Sequence, residues 1–197
     1  MRDNGAFRLF LAIAPPDGLN REIARLQGRL QRIVTGNIRW VKPEGLHLTL
    51  KFFGDVSAME VEQISAACGQ AAAADAPFTL SLRGLGTFPS AKRPRVVYLE
   101  MEGDTKRLTV FQAKLEKKLS EMSFPREERP FLPHLTLARI KTLSEPDSLL
   151  RELSASSAYE AGQFTASELC LFKSDLTPGG AIYTKLAAYP FAGNAGE

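Results

Sequence analysis

Along the chain, consecutive apolar runs take turns with stretches in which apolar residues return every three or four positions, so strands and amphipathic helices are expected to alternate. Residues 8–14 read as a buried strand ended by Pro15 and Pro16. Asp17 offers a helix N-cap, and Leu19, Ile23, Leu26, Leu30 and Ile33 form the apolar stripe of a helix that stops at Thr35, Gly36 and Asn37. A short strand over 38–41 and a turn over 42–45 lead into a strand from residue 46 to Phe53, closed by Gly54 and Asp55. Ser57 and Glu60 make a capping box for a helix that carries Val61 and Ile64 and runs to about Ala74. Strands follow at 78–88, interrupted by Gly84 and Gly86, and at 95–101, joined by a basic turn with Lys92, Arg93 and Pro94.

The second half returns to the same order. Asp104 caps a helix carrying Leu108, Phe111, Leu115 and Leu119, and it lies 87 residues after Asp17. His134 lies 87 residues after His47. Phe164 and Thr165, opening a strand that runs to Phe172, follow Phe78 and Thr79 at an offset of 86. Two copies at so long a period do not make a solenoid. They predict an α+β protein, one bilobal domain over 1–197 with internal duplication of roughly 8–88 and 95–188. Its two similar lobes are related by a pseudo-two-fold axis, each an antiparallel sheet with helices packed outside, and the active cleft lies between them. After Gly179 and Gly180, residues 181–188 read as a hairpin return strand and 190–197 as a frayed tail.

The strongest chemical signal lies inside this repeat. The tetrapeptide His-Leu-Thr-Leu occurs at His47 to Leu50 and again at His134 to Leu137, and the chain has only these two histidines. In an extended strand, residues two apart share a face, so His47 with Thr49, and His134 with Thr136, are presented while the leucines anchor. A single strand His or Thr is ordinarily structural. Burial alone does not demand that both histidines occupy equivalent positions with Thr two residues on. Imidazole titrates near pH 6.5, so one ring can serve as acid and the other as base. Displacement at a phosphodiester needs both, with water as nucleophile, and two Thr hydroxyls supply donors for the non-bridging oxygens. Which histidine is the acid, the pseudo-symmetry leaves open. No ligand set for a metal accompanies the two histidines, and neither a Gly-x-Ser-x-Gly elbow nor a Walker-type loop is present.

With 44% apolar and 24% charged residues the composition is that of an ordinary globular protein, which excludes disordered and collagen-like classes. A net charge of +3 is compatible with a phosphate-bearing ligand and far from that of a histone-like binder. The apolar run near the N-terminus is too short for a secretion signal, no stretch is long enough for a membrane-spanning helix, and Cys68 and Cys170 read as reduced buried thiols. A cytoplasmic location is expected.

The paired motifs resemble those of the 2H phosphoesterase superfamily, and specifically its bacterial and archaeal RNA 2′,3′-cyclic phosphodiesterases, once described as 2′-5′ RNA ligases. The resemblance covers nearly the whole chain: residues 8–13 are similar to the family's opening strand, 46–54 to its first motif, 94–98 to its central strand, 129–137 to its second motif, and Tyr183 with Thr184 to its closing strand. Tyr98 stands where the family often has Trp. The resemblance implies hydrolysis of 2′,3′-cyclic ends of RNA, or of cyclic nucleotides, to 2′-phosphomonoesters by a monomer without metal or cofactor. His47 would protonate the departing 3′ oxygen, His134 would activate water, and Thr49 and Thr136 would bind phosphate. It further implies Arg139 as a substrate contact, although strict alternation puts Arg139 opposite His134 unless a bulge turns it. Phe10 is a candidate base-stacking face, with a core role as the alternative. Lys42, Lys51, Arg93, Arg126 and Arg129 are placed to track an RNA backbone, against a plain solvated surface for each. Two rival functions remain: ligation of a cyclic end to a 5′-hydroxyl, as in joining tRNA halves, and a non-catalytic RNA- or nucleotide-binding module. Intact paired His and Thr argue against the second.

Overall fold

In the computed structural model, which describes residues 6–193, strands and helices alternate much as the apolar pattern requires. The elements are β1 (Phe7–Ile13), α1 (Asp17–Ile33), β2 (Gly36–Trp40), a 3-10 turn (Pro43–Gly45), β3 (Leu48–Val56), α2 (Ala58–Ala73) and β4 (Phe78–Phe88). After them come β5 (Val96–Gly103), α3 (Thr105–Glu121), β6 (His134–Leu143), α4 (Pro146–Ala155), β7 (Glu160–Ala166), β8 (Glu168–Thr177) and β9 (Gly180–Pro190). No helix among the described residues is long and apolar enough to cross a membrane.

Two antiparallel sheets make the two lobes, one in the order β3-β1-β8-β9 and the other β2-β6-β5-β4-β7. Position by position, β3-β1-β8-β9 corresponds to β6-β5-β4-β7, with β2 added on the outer edge of β6. The lobes are therefore not the two sequence halves. β4, from the first half, pairs with β5, and β8, from the second, pairs with β1. The helices cross over too: α1 packs against β7 and α4, whereas α3 packs against α2 and reaches β3 through side chains. Exchange of elements makes the two halves one folding unit, because neither half contains a complete sheet.

One strand expected from Phe164 to Phe172 is two. Phe164 and Thr165 lie in β7 beside β4, and past Ser167 the chain enters the other sheet as β8. Periodicity could not reveal this, since both pieces are buried apolar strands and the break carries no Gly or Pro. The capping box is formed as expected: the Glu60 amide donates to Ser57 Oγ at 3.4 Å and the Ser57 amide donates to Glu60 Oε2 at 2.7 Å. At α1 the N-cap is Pro16, and Asp17 is the first helical residue, where its charge still favours the helix N-terminus. Asp104 is an N-cap whose carboxylate accepts from the Thr79 amide at 2.9 Å instead of from its own helix. The last residue of the α1 stripe, Ile33, is exposed. The tail is not frayed at its start: Phe191 is buried against Phe78 and Phe111, while residues 194–197 of the expected tail lie outside the described residues.

Candidate active site

The two motif strands, β3 and β6, belong to different sheets yet touch one another where the lobes meet. His47 sits one residue before β3, and His134 is the first residue of β6. Each ring is fixed in the same way. His47 Nδ1 is 2.7 Å from the Gly45 carbonyl, and His134 Nδ1 is 2.7 Å from the Leu132 carbonyl. A carbonyl can only accept, so Nδ1 carries hydrogen in both rings and Nε2 is the nitrogen left for proton transfer. Aromatic rings hold each imidazole from the sides. His47 lies 4.7 Å from Phe10 and 5.1 Å from Tyr183, ring to ring, and His134 lies 4.9 Å from Phe88 and 5.2 Å from Tyr98. Gly86, opposite Tyr98 in the β4–β5 register, leaves the room in which the tyrosine ring lies.

A cleft of about 800 Å³ opens here, lined by His47, Thr49, Thr136 and Arg139 among others. The hairpin of β8 and β9 forms one wall, through residues such as Leu176 and Ile182. Burial among the aromatic rings lowers the His47 pKa to about 4; the Gly45 carbonyl opposes this, and the charges of Arg139 and His134 add to it. His134 is lowered as well, first by burial, against the Leu132 carbonyl and together with Arg139. Burial thus favours the neutral form of both imidazoles, and Arg139 is near enough to act on both.

Arg139 reaches the cleft because β6 bulges. Tyr98 pairs with Thr136 and Val97 with Ala138, so Leu137 is skipped, and Arg139 then pairs with Val96 on the face shared by Tyr98 and Thr136. The same irregularity occurs in β3. Ala12 pairs with Thr49 and Leu11 with Lys51, so Leu50, the same position of the tetrapeptide, is skipped. Two consequences follow in β3. Lys51 turns to the helix side, buried to 4% exposure, where its ammonium donates to Glu116 Oε1 at 2.9 Å and to the Pro125 carbonyl at 2.7 Å. That burial takes Lys51 out of reach of an RNA backbone, whereas Lys42, Arg93, Arg126 and Arg129 are exposed, Lys42 on the cleft itself. The next residue, Phe52, turns outward and lines the cleft at 57% exposure.

Phe52 is a site residue that the alternation pattern did not single out, although it lies 87 residues before Arg139, the offset that joins the histidines. Phe10 is the converse. It is 1% exposed, its ring stacked on Phe172 at 5.2 Å and packed under His47, so it supports the imidazole and has no face free for a base. Cys68 and Cys170 are free and buried, as expected, and burial pushes both thiols up to about 12. Among the described residues no group of three or more His, Cys, Asp or Glu side chains could hold a metal ion.

Residues 15–178 match the model of the 2'-5' RNA ligase superfamily. A protein of Methanothermobacter thermautotrophicus named RNA 2',3'-cyclic phosphodiesterase is 35% identical over 92% of this chain and 97% of its own length. One of the same name from Thermus thermophilus is 31% identical over 96% of this chain and 93% of its own. Among solved structures, TT0787 of Thermus thermophilus superposes with a TM-score of 0.79 at 28% identity, covering 94% of this chain and 98% of that one. Escherichia coli LigT complexed with 3'-AMP superposes with a TM-score of 0.75 at 26% identity over the same shares of the two chains. A match over so much of the length, joined to the duplicated His-x-Thr strands and the two-lobed fold, means that this chain belongs to the 2'-5' RNA ligase superfamily.

Proposed function

We propose that the protein hydrolyses the 2′,3′-cyclic phosphate at RNA ends, or in cyclic nucleotides, to a 2′-phosphomonoester by two-histidine acid–base catalysis. The observation that carries this reading is the pair of imidazoles, each locked through Nδ1 to a carbonyl two residues before it and each followed two residues on by a threonine that lines the cleft. Water attacks phosphorus while His134 Nε2 takes its proton. The bond from phosphorus to the 3′ oxygen breaks, and His47 Nε2 gives that oxygen its proton. Thr49 and Thr136 donate to the non-bridging oxygens as negative charge grows on them, and Arg139 adds a fixed positive charge. Phe52 and Arg139, at matching positions of the two motif strands, offer an aromatic and a guanidinium plane to the terminal base. The names of the relatives, RNA 2',3'-cyclic phosphodiesterase, support the same substrate class.

Acid and base on opposite sides of phosphorus permit cleavage of only the bond in line with the attacking water, so one product isomer is expected to dominate. Phosphorus NMR of the product from a 2′,3′-cyclic mononucleotide, run with and without excess chelator, tests the assignment. A 2′-phosphate formed at the same rate in both is expected. A dominant 3′-phosphate would reverse the two histidine roles or the substrate orientation, and loss of activity restored by a divalent ion would remove the metal-free mechanism.

The depressed histidines also set the pH dependence. Catalysis needs one imidazolium and one neutral imidazole, and kcat/KM reports the free enzyme. Because burial and Arg139 lower both pKa values in the free site, the kcat/KM bell is expected to centre below pH 6.5. The bound phosphodiester brings a negative charge that favours both imidazoliums, so the kcat bell should lie at higher pH. A kcat/KM optimum above pH 7 would contradict this sign.

A further inference from the structure

At both bulges the carbonyl of the skipped leucine accepts from a buried glutamine of the other half of the chain. Gln27 Nε2 on α1 donates to Leu137 O in β6 at 3.0 Å and to Val41 O at 2.8 Å. Gln112 Nε2 on α3 donates to Leu50 O in β3 at 3.3 Å. The two residues are 3% and 7% exposed, the only buried side-chain amides among the described residues. They hold the same place in their stripes: Gln27 follows Leu26 and precedes Leu30, and Gln112 follows Phe111 and precedes Leu115. An amphipathic helix gains nothing from a glutamine on its buried face unless its amide is used.

Resting on the function proposed above, we infer that Gln27 and Gln112 are crossed positioning residues. Gln27 fixes the Leu137 bulge and so aims Arg139, and Gln112 fixes the Leu50 bulge and so aims Phe52. Neither lies at the reacting atoms. Each acts through a skipped leucine whose position decides which face of the strand the residue two places on will occupy. A neutral amide suits this position, because two carbonyls flank Gln27 Nε2 and its two N–H groups satisfy both, whereas a carboxylate there would be repelled by them. In β6 the bulge carbonyl also accepts from the Val41 amide at 2.9 Å, so Gln27 ties the bulge to the chain entering the turn before His47.

The test is a set of double-mutant cycles on the full chain, read both as kcat/KM for a 2′,3′-cyclic mononucleotide and as Kd for the 2′-mononucleotide. Gln27→Met keeps length and burial while removing the donors, and it is expected to lose roughly tenfold in each readout, as a displaced binding group does. In an Arg139→Ala background the same change should cost less than about twofold, but in a Phe52→Ala background it should keep its full cost. Gln112→Met should show the reverse pattern. A merely structural role would lower the melting temperature and act equally in every background, which overturns the inference. So does wild-type behaviour of Gln27→Met or Gln112→Met. If a methionine variant does not fold, the asparagine variant, which shortens the amide out of reach, enters the same cycle. An inactive wild type that still binds the mononucleotide removes the hydrolytic reading while the Kd cycle still decides the crossed pairing. A wild type that neither binds nor turns over nucleotide removes both.

Discussion

Replacing either His47 or His134 by alanine is expected to lower turnover of a 2′,3′-cyclic nucleotide by roughly 10² to 10⁴, equivalent to about 3 to 5 kcal/mol of barrier. In the proposed mechanism each ring supplies one of two proton transfers, and nothing else at the start of either strand can replace it, since the neighbouring hydroxyls of Thr49 and Thr136 do not titrate near neutral pH. The two losses should not multiply in the double variant, because with one transfer gone the other no longer limits the reaction. Folding is expected to survive, for both histidines are only half-buried and their carbonyl partners, Gly45 and Leu132, can turn to water. Steady-state rates beside a thermal melt are the measurement. Wild-type turnover by a folded His47→Ala or His134→Ala variant would remove that residue from the mechanism.

Truncating Glu116 should produce the largest change in stability. Lys51 is 4% exposed, its side chain enclosed between β3 and α3, and Glu116 is its only carboxylate partner among the described residues. Glu116→Ala leaves an ammonium in the interior with the Pro125 carbonyl as its remaining acceptor, and such orphaned charges cost about 3 to 5 kcal/mol. At this chain length each kcal/mol moves the melting temperature by about 2 to 4 °C, so a drop of roughly 10 °C is expected. Removing both charges, as Lys51→Met with Glu116→Leu, should restore most of it, because two well-packed apolar side chains avoid the desolvation altogether. Thermal unfolding of the single and double variants decides this. A melting temperature for Glu116→Ala within about a degree of wild type would mean that water reaches Lys51. Pro125 begins the segment leading to the second histidine, so the pair also ties the first motif strand to the approach to the second.

By itself, the sequence singled out the candidate chemistry and most of the element order, but not α4 or the division of one apolar run into β7 and β8. Two histidines in a duplicated His-Leu-Thr-Leu, each in a strand of alternating character, were sufficient to name a candidate acid–base pair and its threonines. The helical stripes of α1 and α3, the capping box at Ser57 and the strand over residues 78–88 followed from local periodicity, which is a property of neighbours along the chain. Tertiary structure alone decided what depends on a partner across space. Nothing in Leu-Thr-Leu-Lys or Leu-Thr-Leu-Ala signals a bulge, yet one skipped residue in each motif strand exchanges the faces of everything after it. That exchange buries Lys51 against Glu116, brings Arg139 beside both histidines and exposes Phe52. The apolar run through Phe10 does not say which strand will cover it, and the cover turned out to be Phe172 and His47 from distant parts of the chain. The mixing of both halves in each lobe was equally hidden, because hydrogen bonds between strands are blind to sequence distance. Strand pairing is chosen by the packing of whole faces, and only the folded chain brings those faces together.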